Sequence, residues 1–408
     1  MKTEAYIHIP FCVRKCAYCD FLSFPAETGE QRRYVDALRG EIRSRRAAVS
    51  VDTVFIGGGT PSVLPAEWIT EILEELRGSF AVSRDAEISI EVNPGTADVE
   101  KLRIYREAGI NRISFGCQSF HDEELRLLGR IHSESDISES VKAAREAGFT
   151  NINLDLMSGI PGQTLRSWEE TLLQAVASDP EHISAYSLII EKGTPFHEWY
   201  GREGPIFPSL PDEETERLMY ERTAEILREA GYRQYEISNY AKEGYACRHN
   251  VGYWTGVPYM GFGLGASGFL PAEPVRDLET VPGGDAAEEL PEQVFRAPWV
   301  RCRNTESMEA YLTACTQENR GLTGPGCADV QMLEQRDLEA EFMILGLRMT
   351  DGVGDAEFMR RFGKDTDQVY GAVLEKYEKA GLLVRENGRT RLSRKGISVS
   401  NYVLADFL

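Results

Sequence analysis

Over residues 1–240, β-branched apolar runs alternate with longer stretches whose apolar positions recur every three or four residues. These are the patterns of strands and amphipathic helices. The runs predict strands at 5–9, 53–56, 87–92, 112–115, 152–157 and 183–188. Helices are predicted between them at 30–47, 66–76, 98–108, 136–147, 168–177 and 212–230. Several of these end in Ala-Gly, the composition that helix C-termini favour. Six strand–helix units with short connections imply right-handed crossovers and a parallel sheet. Six units are too few for a closed eight-stranded barrel, so the expected fold is α/β, a curved and partly open (β/α)6 barrel. Ligands in such folds gather beyond the carboxyl ends of the strands.

From about residue 305 the pattern becomes mainly helical, at 338–348, 355–361 and 367–380. Two apolar runs then flank Asn387-Gly388, a pair suited to a type I′ hairpin turn. Helices followed by a hairpin give the expectation of a smaller, winged-helix-like C-terminal domain over 305–408. Residues 1–240 would form the barrel and 241–304 a connecting segment. Within that segment, 271–298 is rich in Pro, Gly and acidic residues and reads as a solvated insertion.

Bulk composition narrows the function. The chain has 408 residues, 42% hydrophobic and 27% charged, with a formal net charge of −20. That surplus argues against wide contact with nucleic acid or an anionic membrane surface. Charges in the C-terminal part are nearly balanced, so its hairpin is expected to pack or contact protein rather than DNA. No apolar run approaches a membrane span, and no signal-peptide pattern precedes the first strand. Eight cysteines in this setting suggest thiols or metal ligands in the cytoplasm rather than a disulfide framework.

Three of those thiols, Cys12, Cys16 and Cys19, fall within eight residues directly after the first strand. Iron–sulfur clusters are commonly held by four cysteines, so three leave one iron open to a small molecule. A zinc site would need a fourth His or Cys nearby, and none is in reach in sequence. After the second strand comes Gly57-Gly58-Gly59-Thr60-Pro61-Ser62, where backbone amides can approach a ligand closely. It lacks the lysine of a P-loop and the spacing of a dinucleotide fingerprint. Polar residues mark the later strand ends: Glu91, Gln118, Arg130 and Asp155. Each alone is as readily a structural hydrogen bond, or an Arg130–Asp155 ion pair, as a ligand contact.

Taken together, the run from Tyr6 through Cys12-x3-Cys16-x2-Cys19, the glycine loop and the later phrases Asp155–Thr164 and Tyr235–Tyr240 resemble the radical S-adenosylmethionine (SAM) proteins. More narrowly, they resemble the branch holding oxygen-independent coproporphyrinogen III oxidase and the HemW heme chaperones. The resemblance implies a [4Fe–4S] cluster on Cys12, Cys16 and Cys19, with SAM on the fourth iron. It implies SAM contacts at Tyr6, Tyr18, Gly58, Gly59, Thr60, Glu91, Gln118, Arg130 and Asp155. In the oxidase branch a further cysteine stands two positions after the third ligand, where this chain has Phe21. That departure points toward the chaperone branch.

The phrase Cys247-Arg248-His249-Asn250-Val251-Gly252-Tyr253-Trp254 is similar to the His-Asn-x-x-Tyr-Trp sequence of the chaperones. By that resemblance His249, Asn250, Tyr253 and Trp254 would contact heme, with the imidazole able to ligate iron and the aromatic rings able to pack on a porphyrin. The alternative is that His249 and Asn250 form a hydrogen-bonding pair and Trp254 plugs the barrel. The implied function is a heme chaperone passing heme to an acceptor protein, a respiratory enzyme being one candidate. The other reading is coproporphyrinogen oxidase or another tetrapyrrole-acting radical-SAM enzyme. No catalytic residue is singled out.

Overall fold

The computed structural model describes residues 2–201, 209–272, 298–315 and 324–408. The expected insertion 271–298 lies outside them except at its two ends. Six parallel strands follow in order: β1 (Lys2–Ile9), β2 (Ser50–Gly58), β3 (Ala81–Val92), β4 (Arg112–Gln118), β5 (Ile152–Ser158) and β6 (His182–Ser187). The helices α1 (Thr28–Ser44), α2 (Ala66–Ser79), α3 (Val99–Glu107), α4 (Asp122–Leu128), α5 (Glu134–Glu146) and α6 (Leu165–Ala177) make the crossovers. After β6 come α7 (Pro195–Tyr200) and α8 (Glu213–Glu229).

The sheet is wider than the six expected strands. Beyond β6 it gains β7 (Arg233–Gln234) and β8 (Asn239–Ala241), both antiparallel. A helix follows, α9 (Arg248–Thr255), and then β9 (Tyr259–Phe262), which pairs parallel to β1. Three antiparallel strands extend that side: β10 (Ser267–Pro271), β11 (Trp299–Asn304) and, past α10 (Met308–Ala314), β12 (Cys327–Leu333). Among the described residues twelve strands thus run from β12 to β7 without closing, as an open barrel. The sheet also continues past residue 305.

Strand alternation gives the two faces of this sheet opposite characters. Ala5, Ile7 and Ile9, then Val54 and Ile56, then Ile88, Ile90 and Val92 point one way, into a core shared with Leu38, Ile42, Ile69 and Ile72 of the helices. Their neighbours point into the barrel, and they are largely polar. Register aligns Glu4, Thr53 and Glu87 in one layer, and Tyr6, Phe55, Ser89 and Arg112 in the next. A third layer holds Glu91, Ser114, Asn153 and His182. Apolar burial against helices supplies the drive to fold, and the interior is left to polar groups.

A buried carboxylate helps to fasten the β9–β11 side to α1. Glu41 accepts from the Gly263 amide at 2.8 Å, Asn304 Nδ2 at 2.8 Å and the Tyr311 hydroxyl at 2.6 Å. A buried charge needs partners of this kind to be tolerated. The C-terminal elements are α11 (Gln335–Gly346), β13 (Val353–Gly354), α12 (Asp355–Phe362), α13 (Thr366–Lys379) and the hairpin β14 (Leu383–Glu386) and β15 (Arg389–Leu392). Two short helices, α14 (Arg394–Ser398) and α15 (Ser400–Leu404), follow, and a 3-10 turn at Ala405–Phe407 comes after them. Asn387 and Gly388 both adopt positive φ, 53° and 69°, as a type I′ turn requires. These elements share a second core that reaches the sheet at Phe269, Trp299 and Leu333.

Candidate functional site

The cysteine loop leaves the carboxyl end of β1 and is pinned at four places. Phe11 bridges to Phe24, and the Cys12 amide donates to the Phe24 carbonyl at 3.2 Å. His8 Nε2 lies 2.9 Å from the Leu22 carbonyl, while its Nδ1 lies 3.0 Å from the Tyr6 hydroxyl. A carbonyl only accepts, so Nε2 carries the proton and Tyr6 donates to Nδ1. Farther along, the Ala17 amide donates to Leu128 and the Phe196 amide to Ala17, at 3.2 and 3.0 Å.

This folding brings Cys12, Cys16 and Cys19 onto the wall of one cavity of about 510 Å3. Burial pushes the Cys12 and Cys19 thiols above their ordinary range, so thiolate there calls for a cationic partner such as iron. Among the described residues no three His, Cys, Asp or Glu side chains converge as a single-ion site would need. In a cluster each thiolate takes a different iron, a looser demand. The donor set therefore fits a cluster.

Tyr18, Gly58, Gly59, Thr60, Glu91, Gln118, Arg130 and Asp155 line the same cavity. Eight of the nine residues implied as SAM contacts are thus brought together. Tyr6 is not among them; it lines a smaller chamber deeper in the barrel. The glycine loop has steric reasons for its composition. Gly58 has φ of 110°, and a Cβ there would stand 2.3 Å from the His8 ring. A Cβ on Gly59 would stand 2.6 Å from the Phe11 carbonyl oxygen. The Gly58 amide donates to Glu91 Oε2 at 3.0 Å. Burial and the nearby Asp155 push Glu91 up to about 7.

The Arg130–Asp155 ion pair weighed from the sequence does not form. Arg130 Nη2 donates instead to Asn93 Oδ1 at 2.7 Å and to the Gly116 carbonyl at 2.5 Å, and its Nη1 lies 3.7 Å from Cys16 Sγ. Asp155 accepts from Ser114 and Asn153, each at 2.8 Å.

The second motif occupies different ground. His249 is 1% exposed and stacks on Phe55 with ring centroids 5.3 Å apart. Its Nδ1 is 2.7 Å from Thr53 Oγ1 and its Nε2 is 3.1 Å from the Tyr253 hydroxyl. Both ring nitrogens are engaged in this conformation, and burial with Arg112 nearby lowers the imidazole to about 3. Cys247 is buried with its thiol 3.5 Å from Glu87 Oε1. Asn250 and Tyr253 line the deeper chamber with His249. Trp254 does not plug the barrel. It lies under the Arg348 guanidinium, 4.5 Å away, on an apolar cavity of about 310 Å3 between α9, β9–β11 and α11–α12.

Residues 6–175 match the Radical SAM superfamily, and residues 333–399 match the HemN C-terminal domain. The heme chaperone HemW of Bacillus subtilis is 36% identical over 99% of both chains. That of Escherichia coli is 42% identical over 67% of this chain and 72% of its own. The chain belongs to the HemW family of radical SAM proteins. Coproporphyrinogen III oxidase (HemN) from Escherichia coli shares the fold, with a TM-score of 0.78 at 23% identity over 99% of this chain and 89% of its own. Among the described residues of this HemW-family chain, no helix is long and apolar enough to cross a membrane.

Several cavity residues carried no sequence signal of their own. Tyr186, Leu188 and Ile189 enter the cysteine cavity from the end of β6, and Asn93 and Met157 from the ends of β3 and β5. Their position beyond parallel strands was the available clue. His8 was missed although it holds the loop, because a histidine inside an apolar strand reads as a filler.

Proposed function

We propose that this protein is a heme chaperone that carries a [4Fe–4S] cluster on Cys12, Cys16 and Cys19 and passes heme to an acceptor protein. The full-length relationship to HemW heme chaperones carries this reading. It is supported by Phe21, which stands exposed beside the cavity where the oxidase branch has a cysteine. SAM would fill the cysteine cavity, its adenosyl and amino-acid parts held by Tyr18, the Gly58–Thr60 backbone, Glu91, Gln118, Arg130 and Asp155. When bound, a cluster with SAM supplies one-electron chemistry. The chain's own part is to fix the loop through His8, Phe24 and Leu128 and to present the Gly58–Thr60 backbone. Heme contact is assigned to His249, Asn250, Tyr253 and Trp254. Ligation by His249 requires the Tyr253 hydrogen bond to open and the chamber of about 190 Å3 around the ring to widen.

The test is made on one anaerobic, cluster-reconstituted preparation. Titration with heme is expected to saturate at one equivalent with a shifted Soret band. Incubation with coproporphyrinogen, SAM and a reductant is expected to give no multiple-turnover product. Protoporphyrinogen at many turnovers would make the protein an oxidase.

A further inference from the structure

Among the described residues two guanidinium groups, those of Arg45 and Arg112, lie almost fully inside the protein, and their surroundings differ. Arg45, 2% exposed, donates to the Gly261 carbonyl at 2.5 Å, pairs with Glu41 at 3.3 Å and sits 4.4 Å over the Phe262 ring. It is a fastener of α1 to β9. Arg112, 1% exposed at the start of β4, has no such partners among the described residues. Its Nε is shielded and without a hydrogen bond, as Nε and Nη2 of Arg45 also are, so the difference lies in the carbonyl and carboxylate that Arg45 meets and Arg112 does not. Among the described residues no carboxylate oxygen lies within the 4.0 Å of an ion pair. A guanidinium cannot shed its charge, and leaving it buried and unpaired is costly. Glu87 and Asp155 offset the Arg112 charge at longer range, which leaves its hydrogen-bonding fork unused and open to a bound ligand.

Arg112 lines the deeper barrel chamber of about 190 Å3, together with Asn153, Ser184 and Asn250. The chamber shares Glu91, Asp155 and Tyr186 with the cysteine cavity, so it opens from the cofactor side of the barrel. The carboxylates nearest in charge to Arg112 are occupied elsewhere. Asp155 accepts from Ser114 and Asn153, and Glu87 accepts from the Arg248 and His249 amides at 3.1 and 3.2 Å. The Asn250 side chain makes no hydrogen bond to other described residues and faces the same space. Two imidazoles beside Arg112, His182 and His249, are held neutral, first by burial and then by this cation. Among the described residues Arg112 is the one cation on a chamber wall that also carries the Glu91 and Asp155 carboxylates, so an entering anion is favoured where it lies nearer Arg112 than them.

We propose that Arg112, with Asn250, is the anchor for a carboxylate arm of a ligand lodged in the barrel chamber. The planar fork of the guanidinium suits a two-point contact with a carboxylate, and Asn250 can add an amide donor. A 190 Å3 chamber admits a short arm rather than a whole macrocycle. Such an arm belongs either to a tetrapyrrole propionate or to a free short-chain acid. The first source rests on the heme reading above; the second does not.

The test titrates cluster-loaded full-length protein calorimetrically with heme, heme dimethyl ester and sodium propionate. The wild type is compared with Arg112→Gln and Arg112→Lys. Heme is expected to bind wild type about 10-fold or more tightly than its ester, the worth of a charged hydrogen-bonded pair. Arg112→Gln is expected to erase that gap and Arg112→Lys to restore part of it. The acid–ester gap needs no variant, so it stands even if Arg112→Gln fails to fold. Equal binding of heme and ester, with propionate bound by wild type and lost in Arg112→Gln, would assign the anchor to a free acid. Propionate binding through Arg112 in a protein that takes up no heme would remove the heme reading and keep the anchor. No acid–ester gap together with propionate binding that ignores Arg112 would overturn the proposal.

Discussion

The two motifs that place this chain in its family sit in opposite physical settings. The cysteine loop lies beyond the carboxyl ends of the strands, where its three thiols border an open cavity. The His249 segment lies deep among the inner-face residues, where thiol, imidazole and amides are already bound to Glu87, Thr53 and Tyr253. The thiols of one motif face the cavity, with Arg130 near Cys16, whereas Cys247 and His249 of the other are tied into the fold and the Asn250 side chain is left free. Motif membership alone does not distinguish a ligand from a strut; the count of free polar atoms does.

This contrast can be broken by mutation. The largest effect is expected from Cys12, Cys16 and Cys19. Replacing any one with Ser should abolish the visible absorption of the reconstituted cluster, while the unfolding free energy of the cluster-free chain shifts by no more than about 1 kcal/mol. A comparable loss of cluster-free stability would make these thiols structural. His249→Ala should do the reverse. It orphans Thr53 and Tyr253 in a buried site and should cost about 3 kcal/mol in denaturant unfolding. A lost Soret shift beside that cost would show that the strut is also the heme contact proposed for it, and an unchanged midpoint would contradict the structural role.

Two smaller effects sharpen the picture. Gly58→Ala forces a Cβ onto the His8 ring at positive φ, and should cost about 2 kcal/mol and weaken SAM binding. Full stability in that variant would show that His8 does not brace the loop. Below the His249 ring, burial raises Glu4 to about 9. The folded chain therefore keeps a proton that the unfolded chain loses above 4.5. Its contribution is whole below that value and falls as pH climbs toward 9. Stability curves of wild type and Glu4→Gln should diverge with rising pH across that window, the wild type losing more. Parallel curves would place Glu4 in contact with water.

Much of this was legible in the chain itself. All six parallel strands and the main crossover helices follow from apolar runs bounded by turn residues, and the Asn387-Gly388 hairpin from its turn chemistry. Strands β9–β12 were not, because Tyr259–Phe262 and Ser267–Pro271 are short, each is interrupted by a glycine, and their main partners, β1 and β11, lie far off in sequence. Cys12, Cys16 and Cys19 announce themselves by spacing. Arg112 does not, since a cation opening an apolar strand reads as a solvent-facing end. Only the register, which sets it beside Ser89 in the inner layer, shows where its charge goes.

The claim that the cysteine loop, and not the His249 segment, is the seat of the cluster and of SAM is tested most directly by spin resonance on the reduced, reconstituted protein. Wild type and His249→Ala should both show a cluster signal that changes when SAM is added. The Cys12, Cys16, Cys19→Ala triple variant should show none. A SAM-responsive signal surviving in the triple variant would contradict the account.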